Sequence, residues 1–196
     1  MNWNDLQKTA KLTPIFTLND VLKWFPDEGE NQILVQLSRF VKHGLLSQPR
    51  KGIYLLTEYK LEDPFLLANL LRNPSYISLE TAMNYYGLIP DIPASITSVT
   101  TKKTKTYVNT YGKFIYRSVK SELFFGFEQV QSRNNHLFGY KIATPEKTLL
   151  DYLHLNPHVD NLDELRLRNT ENIDREKLNE FSKNYTERVC KLIEKI

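Results

Sequence analysis

The chain has 196 residues, 41% hydrophobic and 25% charged, an ordinary globular composition with enough length to bury a core in one or two domains. Only 7 glycines and no low-complexity run argue against long disordered segments, and no apolar stretch approaches the roughly 20 residues that span a bilayer. The single cysteine, Cys190, excludes an intrachain disulfide and a thiolate zinc cluster, and the start MNWNDLQKTAK lacks a signal-peptide layout, so a cytoplasmic location is expected.

The first sixty residues predict three helices followed by a hairpin. Trp3, Leu6 and Ala10 fall at helical spacing before Thr13-Pro14 ends that element. In FTLNDVLKWF, Thr17 is a candidate N-cap with Asp20 at the third helical position, and Phe16 and Val21 occupy the two positions of a hydrophobic staple. Asp27 followed by Glu30 suggests a second capping box, opening a helix that runs to Gly44. Ile33, Leu34, Leu37, Phe40 and Val41 give that third helix one apolar face. Then Leu45-Leu46, a polar tip with Pro49-Arg50-Lys51-Gly52, and Ile53 to Leu56 read as a two-stranded ribbon. This is the order of a winged helix-turn-helix.

The rest of the chain predicts a mixed domain. DPFLLANLL and SLETAMNYYGL read as helices, with Asn73-Pro74 as a turn and Tyr76-Ile77 as a short extended piece. SITSVTT, KTYVNTY, KFIYRSV, FGFEQVQ and LFGYKIA are rich in β-branched and aromatic residues and predict an antiparallel sheet. TPEKTLLDYLHL is a helix with Thr144 as N-cap and Pro145 at its first position. NLDELRLR is a short helical element. Leu178, Phe181, Tyr185, Val189, Leu192 and Ile193 recur as in one amphipathic helix. The expected class is therefore α+β: a winged helix-turn-helix over residues 1–60, and over 61–196 a mixed α/β domain with an antiparallel sheet and C-terminal helices.

Catalytic constellations are scarce. The sequence has no GxGxxG, no Walker-type loop and no GxSxG elbow. His154 and His158 have the spacing of two metal ligands on one helix, but Pro157 disfavours a continuous helix there, and no HExxH-type glutamate is in place. Glu146 and Asp151, five apart on a helix, face different directions. Cys190 reads as a small buried hydrophobe. The expectation is a protein that is not an enzyme and carries no cofactor or metal; a nucleic-acid-processing enzyme using the basic sheet region is a distant alternative.

Charge points elsewhere. The net charge of +3 is unevenly spread: residues 31–60 carry Arg39, Lys42, Arg50, Lys51 and Lys60 against Glu58 alone, and residues 92–121 carry six basic residues and no acid. With its apolar face inward, the third helix presents Glu28, Asn31, Gln32, Val35, Arg39 and Lys42, with Gln36 at the flank. Amide side chains pair with adenine and arginine with guanine in a major groove, and Lys42 suits a phosphate. Arg50 and Lys51 at the hairpin tip can reach the DNA backbone or a minor groove. Glu28 and Glu30, facing the same partner, oppose this, which leaves a winged-helix protein-interaction module without DNA binding as the alternative. Lys102, Lys103 and Lys105 form a second basic patch, either for nucleic acid or as protection of an edge strand.

Three segments in order, the N-terminal part ending in RKGIY, then YISLETAMNYYGLIPDIP, then YKIATPEKTLLDYL, resemble the AbiEi antitoxins of type IV toxin–antitoxin systems, known from abortive infection by phage. The resemblance covers about residues 5–155 and rests most on the pattern at 78–93 and on TPEKTLLD. It implies a transcriptional repressor whose N-terminal domain binds inverted repeats in double-stranded promoter DNA of its own operon. It also implies a C-terminal domain that counteracts a nucleotidyltransferase-type toxin without needing a stable complex with it. By position, Asp27 to His43 is then the recognition helix and Arg50-Lys51-Gly52 the wing. Lys147 stands where the family often has arginine, and the tail from residue 160 carries no matching motif.

Overall fold

Residues 1–132 and 135–196 are described by the computed structural model, in which Met1–Glu62 and Asp63–Ile196 each pack around a core of their own. Both units combine helices with sheet, so the class is α+β.

The first unit runs α1 (Trp3–Ala10), β1 (Ile15–Thr17), α2 (Leu18–Trp24), α3 (Glu30–Lys42), β2 (Leu46–Arg50) and β3 (Ile53–Leu56). The capping box of α2 forms: Thr17 N–H donates to Asp20 Oδ2 at 2.8 Å and Asp20 N–H to Thr17 Oγ1 at 3.3 Å. Phe16 stacks on Tyr54 and tilts against Trp24, with Val21, Ile33, Leu37 and Leu46 completing a buried apolar centre. Gly44, at φ +70°, lets the Leu45 amide close back on the Phe40 carbonyl and end α3.

Two expectations are corrected here. No capping box opens α3 at Asp27: the helix starts at Glu30, with Gly29 as an N-cap that offers no side chain. After Pro26 the chain makes a turn, with the Glu28 amide bonded to the Phe25 carbonyl. The apolar seam of α3 is also narrower than expected, since Leu34 is exposed while Ile33, Leu37 and Phe40 are buried. A strand also emerges that the sequence reading missed: β1 adds to the hairpin in a three-stranded antiparallel sheet of order β1-β3-β2. At three residues it is too short to show a period.

The second unit runs α4 (Pro64–Leu71), β4 (Tyr76–Ile77), α5 (Leu79–Tyr85), β5 (Ile96–Thr100), β6 (Lys105–Asn109), β7 (Gly112–Ser118), β8 (Phe127–Ser132), β9 (Asn135–Ala143), α6 (Pro145–Leu155), α7 (Arg175–Ser182) and α8 (Glu187–Ile193). Its six strands lie in the order β6-β7-β5-β4-β9-β8. The sheet is mixed rather than antiparallel throughout. The chain reverses twice between β5 and β7, which therefore pair parallel, and β4 pairs parallel with β9 at Ile77 and Ile142.

The long C-terminal helix expected from periodicity is two helices. The chain turns between α7 and α8, with the Tyr185 amide on the Ser182 carbonyl at 2.8 Å, and Tyr185 directs its hydroxyl into the interior. NLDELRLR holds only one turn of 3-10 helix, at Leu162–Leu165. Helices α5 to α8 share a core of Met83, Leu149, Leu153, Leu178, Val189 and Leu192. Tyr76, Leu79, Val99 and Ala143 form a second cluster with Phe124, Phe125 and Phe127 packed against it.

Candidate functional site

The strongest candidate interface is on α3 of the first unit. Burial of Ile33, Leu37 and Phe40 fixes the rotation of the helix and leaves Asn31, Gln32, Val35, Arg39 and Lys42 exposed on the other side, with Gln36 half-buried between. Arg50 and Lys51 are exposed at the hairpin tip, where Arg50 pairs with Ile53 across a two-residue turn and Gly52 takes φ +83°. That φ is what a turn this tight requires, and it favours glycine. Glu28 does not face out unpaired: its carboxylate meets the Met1 amine in an ion pair. Glu30 is exposed in the first turn, its charge matched to the helix dipole.

The second basic group is in the other unit. Lys102 and Lys103 are exposed in the turn after β5, but Lys102 Nζ donates to the Asn73 carbonyl at 2.5 Å and the Lys103 carbonyl accepts from Arg72. Lys105 opens β6, which is an edge strand of the sheet.

A buried polar cluster escaped the sequence reading. Lys147 and Asp151, four apart on α6, form an ion pair in which both side chains are 0% exposed. Asp151 also accepts from Ser78 Oγ at 2.8 Å, Tyr76 Oη at 3.0 Å and Tyr185 Oη at 3.0 Å. Lys147 Nζ donates to Tyr185 Oη at 2.5 Å and sits 5.0 Å from the centre of the Phe125 ring. Burial pushes the Lys147 ammonium below its ordinary pKa, against the pull of Asp151. Burial first, and then the Asp151 charge, hold the Tyr76 and Tyr185 hydroxyls well above theirs. Beside it Leu79 takes φ +58°, a costly conformation for a residue other than glycine, and Thr148 Oγ1 donates to its carbonyl at 3.2 Å. Glu146 goes elsewhere, as the spacing suggested: it accepts from the Asp174 amide at 3.0 Å and pairs with Lys177 at 3.2 Å. This network ties α5, α6, β4 and the tail together. Its two charges, Lys147 and Asp151, are fully buried and paired with each other, an arrangement that suits a structural anchor.

A cleft of about 400 Å³ in this unit is lined by Glu80, Asp91, Glu164, Met83, Leu165 and Tyr152 among others. Arg166 clamps Asp91 with 2.5 and 2.6 Å bonds, and burial, then Glu80 and Glu164, raise the Tyr152 pKa. Cys190 is half-buried rather than buried, its Sγ 3.4 Å from the Ser182 carbonyl. His154 packs edge-on against Tyr185 while His158 is exposed, and the His136 side chain lies outside the described residues. Among the described residues no three His, Cys, Asp or Glu side chains converge to hold a metal, and no helix is long and apolar enough to cross a membrane.

No family model matches the chain, and no curated protein matches it. Among solved structures, the chain is similar to the RV2827C protein from Mycobacterium tuberculosis, with a TM-score of 0.54 and 17% identity over 96% of this chain and 74% of that one. At that identity the likeness speaks for the fold alone.

Proposed function

We propose that the chain is an AbiEi-like antitoxin of a type IV toxin–antitoxin system, a cytoplasmic protein that represses its own operon and catalyses nothing. In this reading residues 1–60 are a winged helix-turn-helix, with α3 as the recognition helix and the β2–β3 turn as the wing. The observation that carries it is the exposed stripe of α3, where amides, Arg39 and Lys42 lie opposite a buried seam and precede a hairpin tipped by Arg50 and Lys51. The second unit, which holds the TPEKTLLD segment, would counteract a nucleotidyltransferase-type toxin; Lys102, Lys103 and Lys105 can add affinity for nucleic acid, although the edge position of β6 suits edge protection equally well.

A reporter driven by the DNA upstream of the protein's own gene tests repression. Expression of the chain should silence it, and reversal of Arg39, Lys42, Arg50 and Lys51 to glutamate should restore it. A reporter indifferent to the chain would sink repression and favour a protein-interaction module. Co-expression with a neighbouring nucleotidyltransferase-like frame tests the antitoxin half: growth arrest relieved by the chain is the expected result, and unrelieved arrest contradicts it.

A further inference from the structure

The outward stripe of α3 is not uniformly polar. At its middle stands Val35, 50% exposed and nearly opposite the Ile33–Leu37–Phe40 seam by helical geometry. A β-branched residue gives a helix no propensity advantage, and nothing in the core needs this one. A single exposed hydrophobe is unremarkable in itself. Its setting is what matters: Asn31 and Gln32 lie one turn before it, and Arg39 one turn after, all exposed. In a major groove, an A·T pair offers N7 and the N6 amino group to an amide and the thymine 5-methyl to an apolar side chain.

We infer that α3 reads an A·T-centred half-site, with Val35 against a thymine methyl, an adenine taken by Asn31 or Gln32, and Arg39 and Lys42 on the flanking phosphates. This rests on the promoter-binding reading above and specifies it. Asn31 and Val35 are four residues apart, about 6 Å along the helix axis. Because a helix in the groove is inclined to the DNA axis, the adenine and the thymine then lie no more than about two base-pair steps apart, at roughly 3.4 Å per step. The charges fit the same occupant, since Arg39, Lys42, Arg50 and Lys51 are exposed in the same unit for an anionic backbone.

The test uses the full chain and a fluorescent duplex spanning the DNA upstream of its own gene, with each thymine replaced in turn by deoxyuridine. At one thymine per half-site, loss of the methyl should weaken binding roughly fourfold. Val35→Ala should lose a similar factor and become indifferent to uracil at that position alone. Because the side chain is exposed and alanine is the better helix former, the variant should keep its helical circular dichroism. Wild-type protein that ignores every uracil, or a Val35→Ala variant as sensitive as wild type, overturns the inference while promoter binding stands. Failure of the wild type to bind the duplex at low salt overturns both.

Discussion

The two units treat charge in opposite ways. The first keeps Arg39, Lys42, Arg50 and Lys51 exposed around a core free of ions. The second takes Lys147, Asp151 and Glu146 into its interior, at 0%, 0% and 3% exposure, and surrounds them with tyrosine, serine and backbone partners. Exposed charge costs a fold little and remains available to a partner, whereas buried charge must be satisfied internally and then locks the elements that satisfy it. The difference separates a surface suited to binding from a network suited to holding a domain together.

Several substitutions can break or sharpen this contrast. Asp151→Ala should have the largest effect, destabilising the second unit by about 3–5 kcal/mol because it strands the Lys147 ammonium in the interior. Urea unfolding would show it, and the double change Lys147→Met with Asp151→Leu should recover much of the loss. If Asp151→Ala unfolds like wild type, the cluster is not an anchor. In the first unit, Thr17→Ala should cost about 1 kcal/mol by removing the α2 cap, again read by urea unfolding.

Burial holds His154 below its ordinary pKa, with Asp151 opposing and Lys147, Arg188 and Lys120 assisting. The unfolded chain therefore takes up the proton first on acidification, so stability should fall as pH drops below about 6.5. His154→Gln should flatten that part of the profile, and an unchanged slope would contradict it. Smallest of all, single reversals of Arg39 or Lys42 should move unfolding by no more than about 0.5 kcal/mol.

Local signals were legible in the sequence, and long-range ones were not. Thr17 and Asp20 specify their cap within four residues, and the Thr144–Pro145 start of α6 is equally local. The buried seam of α3 follows from its period, and so does the exposure of Asn31, Gln32, Val35 and Arg39. In contrast, β1 exists through its pairing with β3 some forty residues later, and the parallel partners of β4 and β5 depend on how distant reversals stack. The break between α7 and α8 has no glycine or proline to announce it; Tyr185 turns inward to reach Lys147 and Asp151 on another helix. The i, i+4 spacing of Lys147 and Asp151 was visible, yet it reads as a solvated helix pair until Tyr76, Ser78 and Tyr185 are placed around it.

The central claim, that the exposed basic stripe and tip of the first unit bind DNA, is tested most directly by the salt dependence of affinity for the protein's own upstream DNA. If all four cations neutralise phosphates, log affinity should fall with log salt at a slope of roughly −3.6, from about −0.9 per contact. The variant with Arg39, Lys42, Arg50 and Lys51 reversed to glutamate should lose both the affinity and the slope. No binding at low salt, or a slope that survives the reversal, would contradict the account.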